Sequence, residues 1–235
     1  MNYLEQLVND YQPTESTREM VAKFPPVILA GVSGSGKNAI ITQLLKTGNY
    51  HYFVTCTTRL PRENDGVMEK EGVDYYFLST DQARDMLERQ AFVEAKFVHG
   101  TIYGTSVAEY ERAVRADKIP IFDVDVQGVM EYKAITPSTT ALFVLPPSYE
   151  VWLERLKKRF SDEEEFLAAW PKRRESAIRE LEAALESHQF EWIINDDLDE
   201  SAEVAKQLIA SPSTDFVTKE QKQIAKDLLA KLKTE

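Results

Sequence analysis

The stretch VILAGVSGSGK, Val27 to Lys37, decides the fold of this chain. Its last seven residues fit the pattern G-x-x-x-x-G-K, directly after an apolar run and directly before a helical pattern. Glycines let the backbone curl so that successive N–H groups converge on phosphate oxygens, and the following helix adds its positive N-terminal end. The lysine reaches the outer phosphates of a bound nucleotide. The stretch therefore predicts a phosphate-binding loop, and a simple Gly/Ser-rich turn is the less favoured alternative.

Predicted strands and helices alternate on both sides of this loop. The predicted strands are Val27–Ala30, Tyr52–Thr55, Tyr75–Leu78, Phe92–Phe97, Pro120–Val124, Thr140–Leu145 and Phe190–Ile194. The predicted helices are Lys37–Lys46, Asp81–Arg89, Val107–Ala116, Val126–Ile135, Tyr149–Arg159, Glu163–Glu186 and Ser201–Ile209. Such alternation indicates βαβ units around a mostly parallel sheet, which is the α/β class.

The two ends of the chain look like additions to this pattern. Apolar residues at helical spacing run from Leu4 to Tyr11, and Pro13 then interrupts them. Near the other end, SPST at Ser211 to Thr214 breaks the chain before a charged helix from about Val217 to Lys231. We expect both ends to be docking or surface helices.

Composition excludes several classes of protein. The 235 residues carry 43% apolar and 29% charged side chains, which is typical of a globular protein. A net charge of −11 argues against a nucleic-acid partner. No apolar run is long enough to cross a membrane, and MNYLEQLVND lacks the features of a signal peptide. The single cysteine, Cys56, favours a reducing compartment, so we predict the cytoplasm.

Two arginines form a basic island in this acidic chain. Arg59 and Arg62 lie three residues apart across a proline in TCTTRLPR. The guanidinium group suits bidentate recognition of phosphate oxygens, so both side chains can serve one phosphate group. Two arginines near a turn are more often solvated surface, and the pair alone does not decide between these readings.

Two carboxylates stand where a ligand would meet the sheet, and a third lies within another predicted strand. Glu94 lies within the apolar part of FVEAKFVHGTIYGTS, and Asp123 and Asp125 end the predicted strand in FDVDVQG. The carboxyl ends of parallel strands form the ligand-binding edge of an α/β sheet. Asp125 alone can equally be the N-cap of the helix that begins near Val126.

Taken in order, these motifs resemble guanylate kinases over about Pro25 to Ile209. The ordered set is specific, although each motif alone is weak: the phosphate loop, TTRLPR, DYYF, FVEAKFVHGTIYGTS, FDVDVQG, LPPS and INDDLD. The resemblance implies a P-loop NTPase fold with a central mostly parallel sheet, a small acceptor-binding subdomain at about 56–106 and a helical lid at about 155–180. The kinase-like domain would span 25–210, between an N-terminal extension at 1–24 and a C-terminal helix at 211–235. The implied reaction is phosphorylation of GMP to GDP by ATP with Mg²⁺.

The resemblance also implies a role for individual residues. The residues implied to bind ATP are Gly31, Ser33, Gly34, Ser35, Gly36, Lys37, Asn38 and Asn195. The residues implied to hold the GMP phosphate are Arg59, Arg62, Tyr75 and Tyr103, and those around the guanine are Thr55, Glu94, Thr105 and Asp125. The residues implied to act on the transferring phosphates are Lys37 and the lid arginines Arg155, Arg159 and Arg173. The implied magnesium contacts are Asn38 and, through water, Asp123.

The chemistry of the bases supports these roles. The Watson–Crick edge of guanine presents N–H donors that suit carboxylate acceptors such as Glu94 and Asp125. Adenine presents an acceptor at the same position, so a carboxylate would face it unpaired. Phosphoryl transfer needs positioning and charge neutralisation more than covalent catalysis.

Three features depart from the family pattern. Asn38 stands where a Ser or Thr hydroxyl binds Mg²⁺, which puts the handling of the metal in question. The link Glu63 to Gly72 is a few residues longer than usual. The lid lacks the usual Arg-Gly, and Pro171 interrupts its pattern within the predicted helix Glu163–Glu186. Arg174 is therefore an alternative to Arg173.

Two other functions compete with GMP phosphorylation. The first is a catalytically weak or inactive guanylate-kinase-like binding module, although such modules usually lose the loop lysine or glycines that this chain keeps. The second is a P-loop kinase of the same fold with another small phosphorylated acceptor, such as a sugar phosphate. Oligomeric state is not indicated by the sequence.

Overall fold

The computed structural model describes residues 3–64, 67–98, 100–211 and 218–234. The strands are β1 (Val27–Ala30), β2 (Tyr50–Tyr52), β3 (Cys56–Thr57), β4 (Glu63–Asn64), β5 (Val67–Met68), β6 (Tyr76–Phe77), β7 (Phe92–Val98), β8 (Thr101–Ser106), β9 (Ile119–Asp123), β10 (Thr140–Leu145) and β11 (Glu191–Ile194). The helices are α1 (Tyr3–Asn9), α2 (Glu15–Lys23), α3 (Lys37–Leu45), α4 (Thr80–Glu88), α5 (Val107–Arg115), α6 (Val126–Ile135), α7 (Tyr149–Lys157), α8 (Glu163–Glu186), α9 (Leu198–Ala210) and α10 (Lys219–Thr234). Among these helices none has the length and apolar character needed to span a membrane. The α/β class is confirmed.

The chain folds into two units. We call the first, Met1–Pro26 with Asn49–Pro120, the acceptor unit, and the second, Val27–Gly48 with Ile121–Glu235, the nucleotide unit. In the nucleotide unit, β1 pairs in parallel with β9 on one side and β10 on the other, and β10 pairs in parallel with β11. All four residues of β1 are buried, because both faces of this sheet are covered. The predicted parallel sheet is confirmed.

The acceptor unit is built on a mixed sheet of different design. Its strand order is β6-β3-β8-β7, with β8 antiparallel to both of its neighbours. The core of this unit includes Val8, Cys56, Leu87, Phe92 and Ile102. The N-terminal helix α1 packs against β7 and α4, so it docks as expected.

Several helix boundaries follow from local capping chemistry. Ser79 and Gln82 form a reciprocal capping box at the start of α4. The Asp162 carboxylate accepts from the Glu165 N–H at the start of α8, whose first turn is acidic. The helices predicted at Val126–Ile135 and Glu163–Glu186 have these same bounds in the structure.

The structure differs from the sequence expectations in one strand and adds elements that they lacked. The predicted strand Tyr52–Thr55 is wrong, since β2 ends at Tyr52 and β3 begins only at Cys56. Helix α2 and strand β8 were not predicted, because neither has a strong apolar periodicity. Helix α8 continues through Pro171, so the interruption of the lid pattern leaves the predicted helix Glu163–Glu186 intact. Pro171 is exposed, so water can satisfy the carbonyl that its missing N–H leaves unpaired.

Two further expectations fall partly outside the described residues. The inserted link from Glu63 to Gly72 contains the hairpin β4-β5, but its residues 65 and 66 are not described. Of the predicted SPST break, only Ser211 is described.

Candidate active site

The phosphate-binding loop in the nucleotide unit depends on glycine for steric reasons. Gly31, Gly34 and Gly36 all have positive φ, at 138°, 86° and 97°. A Cβ atom on Gly31 would lie 2.3 Å from the carbonyl oxygen of Val144, and one on Gly36 would lie 2.0 Å from Nδ2 of Asn195. A larger residue at Gly31 would therefore meet backbone, one at Gly36 would displace the buried Asn195 amide, and both would be strained at positive φ.

Lys37 folds back over this loop. Its Nζ donates to the carbonyl oxygen of Gly31 at 2.5 Å. Burial lowers the pKa of Lys37, the carboxylates of Glu180 and Asp123 oppose that shift, and Arg159 reinforces it. The loop thus holds a buried ammonium group that has carboxylates close enough to interact with it.

Asn195 braces the loop from the end of β11. Its backbone N–H donates to the carbonyl oxygen of Leu145 at 2.7 Å, and its side-chain NH₂ donates to the carbonyl oxygen of Ser35 at 2.8 Å. The Ser35 hydroxyl is buried and has no hydrogen-bond partner within the described part of the chain. A buried unpaired hydroxyl inside a nest of backbone N–H groups is suited to a bound oxyanion.

Two arginines of the predicted lid lie on or just after α7. Arg155 donates to the carbonyl oxygens of Asn195, at 2.7 Å, and Asp196, at 3.2 Å. Arg159 donates to the Ser33 hydroxyl of the loop at 3.0 Å. The loop therefore has a second and a third cationic group beside Lys37.

The long helix α8 presents a face with a carboxylate and an arginine. The Ser176 hydroxyl donates to the Glu180 carboxylate at 3.1 Å. Burial raises the pKa of Glu180, and the charge of Lys37 opposes that shift. Arg173 is exposed and shares this face with Ser176 and Glu180 by helical spacing. Arg174 is half-buried, and its Nε has no partner among the described residues.

The candidate metal contacts lie near the start of α3 and the end of β9. Asp123 is the last residue of β9 and pairs in register with Leu29 of β1. Asn38 lies in the first turn of α3. No cluster of three or more His, Cys, Asp or Glu side chains suited to a metal occurs among the residues described. Carboxylate and amide oxygens are hard donors that suit Mg²⁺, which also takes water and phosphate oxygens, so these two residues fit the ion.

Asp125 caps a helix in the same unit. Its carboxylate accepts from the N–H of Gly128 at 2.7 Å and so forms the N-cap of α6. The N-cap reading of this residue is therefore confirmed. A carboxylate can accept several hydrogen bonds, so capping does not by itself exclude a second partner.

In the acceptor unit, Arg59 is held by a glutamate that the sequence did not single out. Its Nη1 and Nη2 donate to the two carboxylate oxygens of Glu69 at 2.6 and 2.9 Å. The two side chains are only 8% and 9% exposed. The Arg62 N–H donates to the same carboxylate at 2.9 Å, while the Arg62 residue is exposed. Hydrogen bonding to Glu69 raises the pKa of Arg59, which stays a cation.

Aromatic rings complete the surroundings of Arg59. The Arg59 guanidinium carbon lies 5.0 Å from the ring centre of Tyr75 and 5.9 Å from that of Phe77. The rings of Tyr75 and Tyr103 meet edge to face with centres 6.3 Å apart. Burial raises the pKa of Tyr75, so its hydroxyl remains a hydrogen-bond donor. The structure thus gathers Arg59, Tyr75 and Tyr103.

Glu94 and Thr105 form a second group in this unit. Oε1 of Glu94 accepts from both the backbone N–H and the hydroxyl of Thr105, at 2.9 and 3.0 Å. Thr105 is fully buried. Thr55 is fixed through its backbone, since its carbonyl oxygen accepts from the Tyr76 N–H at 2.9 Å.

The guanylate kinase family model matches residues 23–212 of this sequence. The chain belongs to the guanylate kinase family. The match leaves α1, nearly all of α2, and α10 outside the part that guanylate kinases share.

Individual guanylate kinases are similar over most of the chain. A guanylate kinase of Helicobacter pylori (strain ATCC 700392 / 26695) is 36% identical over 182 residues, covering 77% of this chain and 84% of that protein. Guanylate kinase 1 of Oryza sativa subsp. japonica is 34% identical over 188 residues, or 79% of this chain. The chain spans about half the length of the rice protein, with 47% covered.

A solved structure has the same fold. The crystal structure of guanylate kinase from Anaplasma phagocytophilum superposes with a TM-score of 0.55 at 20% identity, covering 88% of this chain and 93% of that one. This similarity supports the fold, and the family assignment rests on the sequence matches.

Sequence reasoning missed three residues that interact with predicted site residues. Glu69 lies in the inserted link, where no periodic pattern indicates its orientation. Glu180 is one of many glutamates on α8, and only the fold turns it towards Lys37. Trp152 donates from its indole N–H to the Ser33 carbonyl oxygen at 2.8 Å, whereas its sequence context indicates only a core position.

Proposed function

We propose that this chain transfers the terminal phosphoryl group of ATP to GMP, giving ADP and GDP. The observation that carries the proposal is that each unit holds a cationic side chain in surroundings suited to a phosphate group. In the nucleotide unit it is the glycine loop with Lys37, and in the acceptor unit it is Arg59 beside Tyr75 and Tyr103. The names of the similar proteins indicate guanylate as the acceptor, and the glycine loop with Lys37 supports ATP as the donor.

In this proposal the loop residues 31–38 bind the ATP phosphates, and Lys37 neutralises the charge that shifts during transfer. Arg159, just after α7, contacts the loop already, and Arg155 on α7 donates to Asn195, which braces the loop. We assign the third lid arginine to Arg173 because it shares a helix face with Glu180, which interacts with Lys37. Asn195 braces the loop, and the resemblance to guanylate kinases also implies a place for it near the ATP purine.

Magnesium would be held by Asn38 and, through water, by Asp123. When bound with ATP, the ion would neutralise phosphate charge. The chain itself contributes oxygen donors at the ends of β9 and the start of α3.

The acceptor would be read by two groups of side chains. Arg59, Arg62, Tyr75 and Tyr103 would bind the GMP phosphate. Glu94 would accept from the guanine edge while Thr105 holds its Oε1, and Thr55 and Asp125 would add further contacts. The cytoplasm is also part of the proposal, resting on the single cysteine, Cys56, which is buried and has no second cysteine to pair with in this sequence.

A coupled ADP-release assay with GMP, AMP, UMP and CMP tests the proposal. GMP should be preferred over AMP by a factor on the order of 10⁴, because a site of hydrogen-bond acceptors rejects a base without matching donors. Lys37→Met serves as a control for contaminating kinases and should abolish the signal. Comparable turnover of AMP, or activity on a sugar phosphate alone, would show that GMP is not the specific acceptor. Binding of GMP or a peptide without any turnover would instead identify a binding module.

A further inference from the structure

The N-terminal extension is part of the acceptor unit's core. Val8 of α1 is only 5% exposed and belongs to the same apolar cluster as Phe92 of β7. Leu4, Leu7 and Tyr11 pack against this cluster. All four N-terminal residues precede the segment that guanylate kinases share.

The Tyr11 hydroxyl makes two hydrogen bonds to one residue of β7. It donates to the carbonyl oxygen of Phe92 at 2.5 Å and accepts from the Phe92 N–H at 3.0 Å. The two rings also meet edge to face with centres 6.3 Å apart. Because β7 is the last strand in the order β6-β3-β8-β7, the hydroxyl takes the place of a neighbouring strand at this edge.

The Tyr11 contact lies at the start of a β-bulge that leads to Glu94. Phe92 pairs with Ser106 and Glu94 pairs with Thr105, so two steps along β7 match one step along β8. A bulge re-aims the side chains of its strand. Here the side chain that follows the bulge is Glu94, whose carboxylate bonds Thr105.

Little space is left for the bulge to shift. A Cβ atom on Gly104 of β8 would lie 2.6 Å from the Glu94 carbonyl oxygen and 2.9 Å from the Phe92 ring. On the other side, Gln90 donates from Nε2 to the carbonyl oxygen of Gln12 at 2.9 Å, so the segment after Tyr11 is tied to the chain just before β7. The bulge is therefore held from both of its sides.

We propose that Tyr11 is a positioning residue for Glu94: its hydroxyl fixes the backbone of Phe92, and the bulge then sets the carboxylate that reads the acceptor base. The inference rests on the proposed function, since it assigns a specificity role to an element outside the family's common domain. Burial raises the pKa of Tyr11 to about 12, and the charge of Glu94 acts in the same direction. The hydroxyl therefore stays protonated and keeps both bonds at neutral pH.

Tyr11→Phe tests the proposal, because it removes the hydroxyl and retains the ring. The dissociation constant and KM for GMP should rise about tenfold, the cost of losing the two hydrogen bonds that hold the bulge. Turnover at saturating GMP and the KM for ATP should change less than about twofold. Tyr3→Phe is the matched control, since Tyr3 lies on α1 and is 63% exposed, and it should change nothing.

A double-mutant cycle with Glu94→Gln separates positioning from general stabilisation. If Tyr11 acts through Glu94, adding Tyr11→Phe to Glu94→Gln should raise the GMP dissociation constant less than about twofold further. A tenfold effect in both backgrounds would overturn the proposal. So would a Tyr11→Phe protein with a lowered melting temperature and an unchanged GMP constant.

Failure of the inference and failure of the proposed function can be told apart. If the wild-type protein neither binds nor phosphorylates GMP, the proposed function is overturned. Should Tyr11→Phe fail to fold, Gln90→Asn replaces it, because Asn tolerates the positive φ of residue 90 but shortens the reach to Gln12. A rise of about threefold in GMP KM supports the proposal, and an unchanged KM overturns it.

Discussion

The loop at residues 31–37 and the arginine at residue 59 both present positive groups suited to phosphate, but they are built from different parts of the chain. The loop uses backbone N–H groups, and its shape is enforced by contacts that leave no room for a Cβ atom on Gly31 or Gly36. Arg59 is a side chain, and its orientation depends on the carboxylate of Glu69 ten residues away.

The two cations also differ in how they are kept ready. Burial lowers the pKa of Lys37 while Glu180 opposes that shift, and a direct bidentate contact with Glu69 raises the pKa of Arg59. A backbone site is thus sensitive to any change of residue size, whereas a side-chain site is sensitive to the loss of one partner. Four substitutions test this difference.

The largest effect is expected for Gly36→Ala. The new Cβ would lie 2.0 Å from the Asn195 amide and would require an L-residue at φ 97°. Strain and clash together should cost more than about 3 kcal/mol, so the ATP dissociation constant should rise roughly 100-fold or more. GMP binding, measured by calorimetry, should remain.

Gly48→Ala is the control for Gly36→Ala. Gly48 also has a positive φ, 78°, but nothing lies within 4 Å of its Cβ position. The Gly48→Ala protein should lose about 1 kcal/mol of stability and should bind ATP as wild type does. Equal loss of ATP affinity in both variants would show that strain, and not the clash in the loop, is responsible.

Arg59→Ala should come next and should affect the other substrate. Losing a charge-assisted contact costs about 1.5–3 kcal/mol, so GMP use should fall by one to two orders of magnitude, roughly, with ATP binding nearly unchanged. The substitution also leaves Glu69 without its partner. Adding Glu69→Gln should therefore restore stability without restoring the GMP KM. A matching loss of ATP affinity would remove Arg59 from the acceptor site.

Asn38→Ser should have a smaller effect that is confined to the metal. Mg²⁺ demands near-ideal octahedral geometry, which a short hydroxyl meets more easily than a longer amide. The Mg²⁺ concentration for half-maximal activity should fall, with little change in the GMP KM. A side-by-side metal titration measures this. An unchanged midpoint would mean that residue 38 does not contact the metal.

The smallest effect is expected from Glu180→Gln, in the pH dependence of stability. Since burial raises the pKa of Glu180, the native state holds this proton more tightly than the unfolded chain does. Its contribution is therefore fully present below the ordinary carboxyl pKa and is lost as the pH rises through the raised value. The free energy of unfolding of wild type should fall relative to Glu180→Gln across this window.

Urea unfolding between about pH 4 and 7 measures that difference, within and above the ordinary range of a Glu carboxyl. Glu182→Gln is the matched control, because Glu182 is an exposed carboxylate of the same helix that bonds Lys233. If the free energy of unfolding changed with pH in the same way in wild type and Glu180→Gln, burial of this carboxylate would not affect stability.

Prediction from sequence succeeded best where the signal was local. The strand Val27–Ala30 and the helix Val126–Ile135 were predicted with their observed bounds, because apolar runs and capping residues act within a few positions. It failed around β3, where strand pairing with β8, more than forty residues later, sets the bounds. The helix Glu163–Glu186, which was predicted through Pro171, is continuous in the structure, and Pro171 is exposed on it.

By itself, the sequence determined the phosphate loop, the α/β class and the family, since glycine spacing, alternating elements and ordered motifs are properties of consecutive residues. Only the tertiary structure decided which side chains hold the candidate site in place. Each of these interactions joins segments that are distant in the chain or that lie in an inserted link. They are Glu69 with Arg59, Glu180 with Lys37, and Tyr11 with Phe92. Such contacts depend on how strands and helices pack, and no local pattern encodes them.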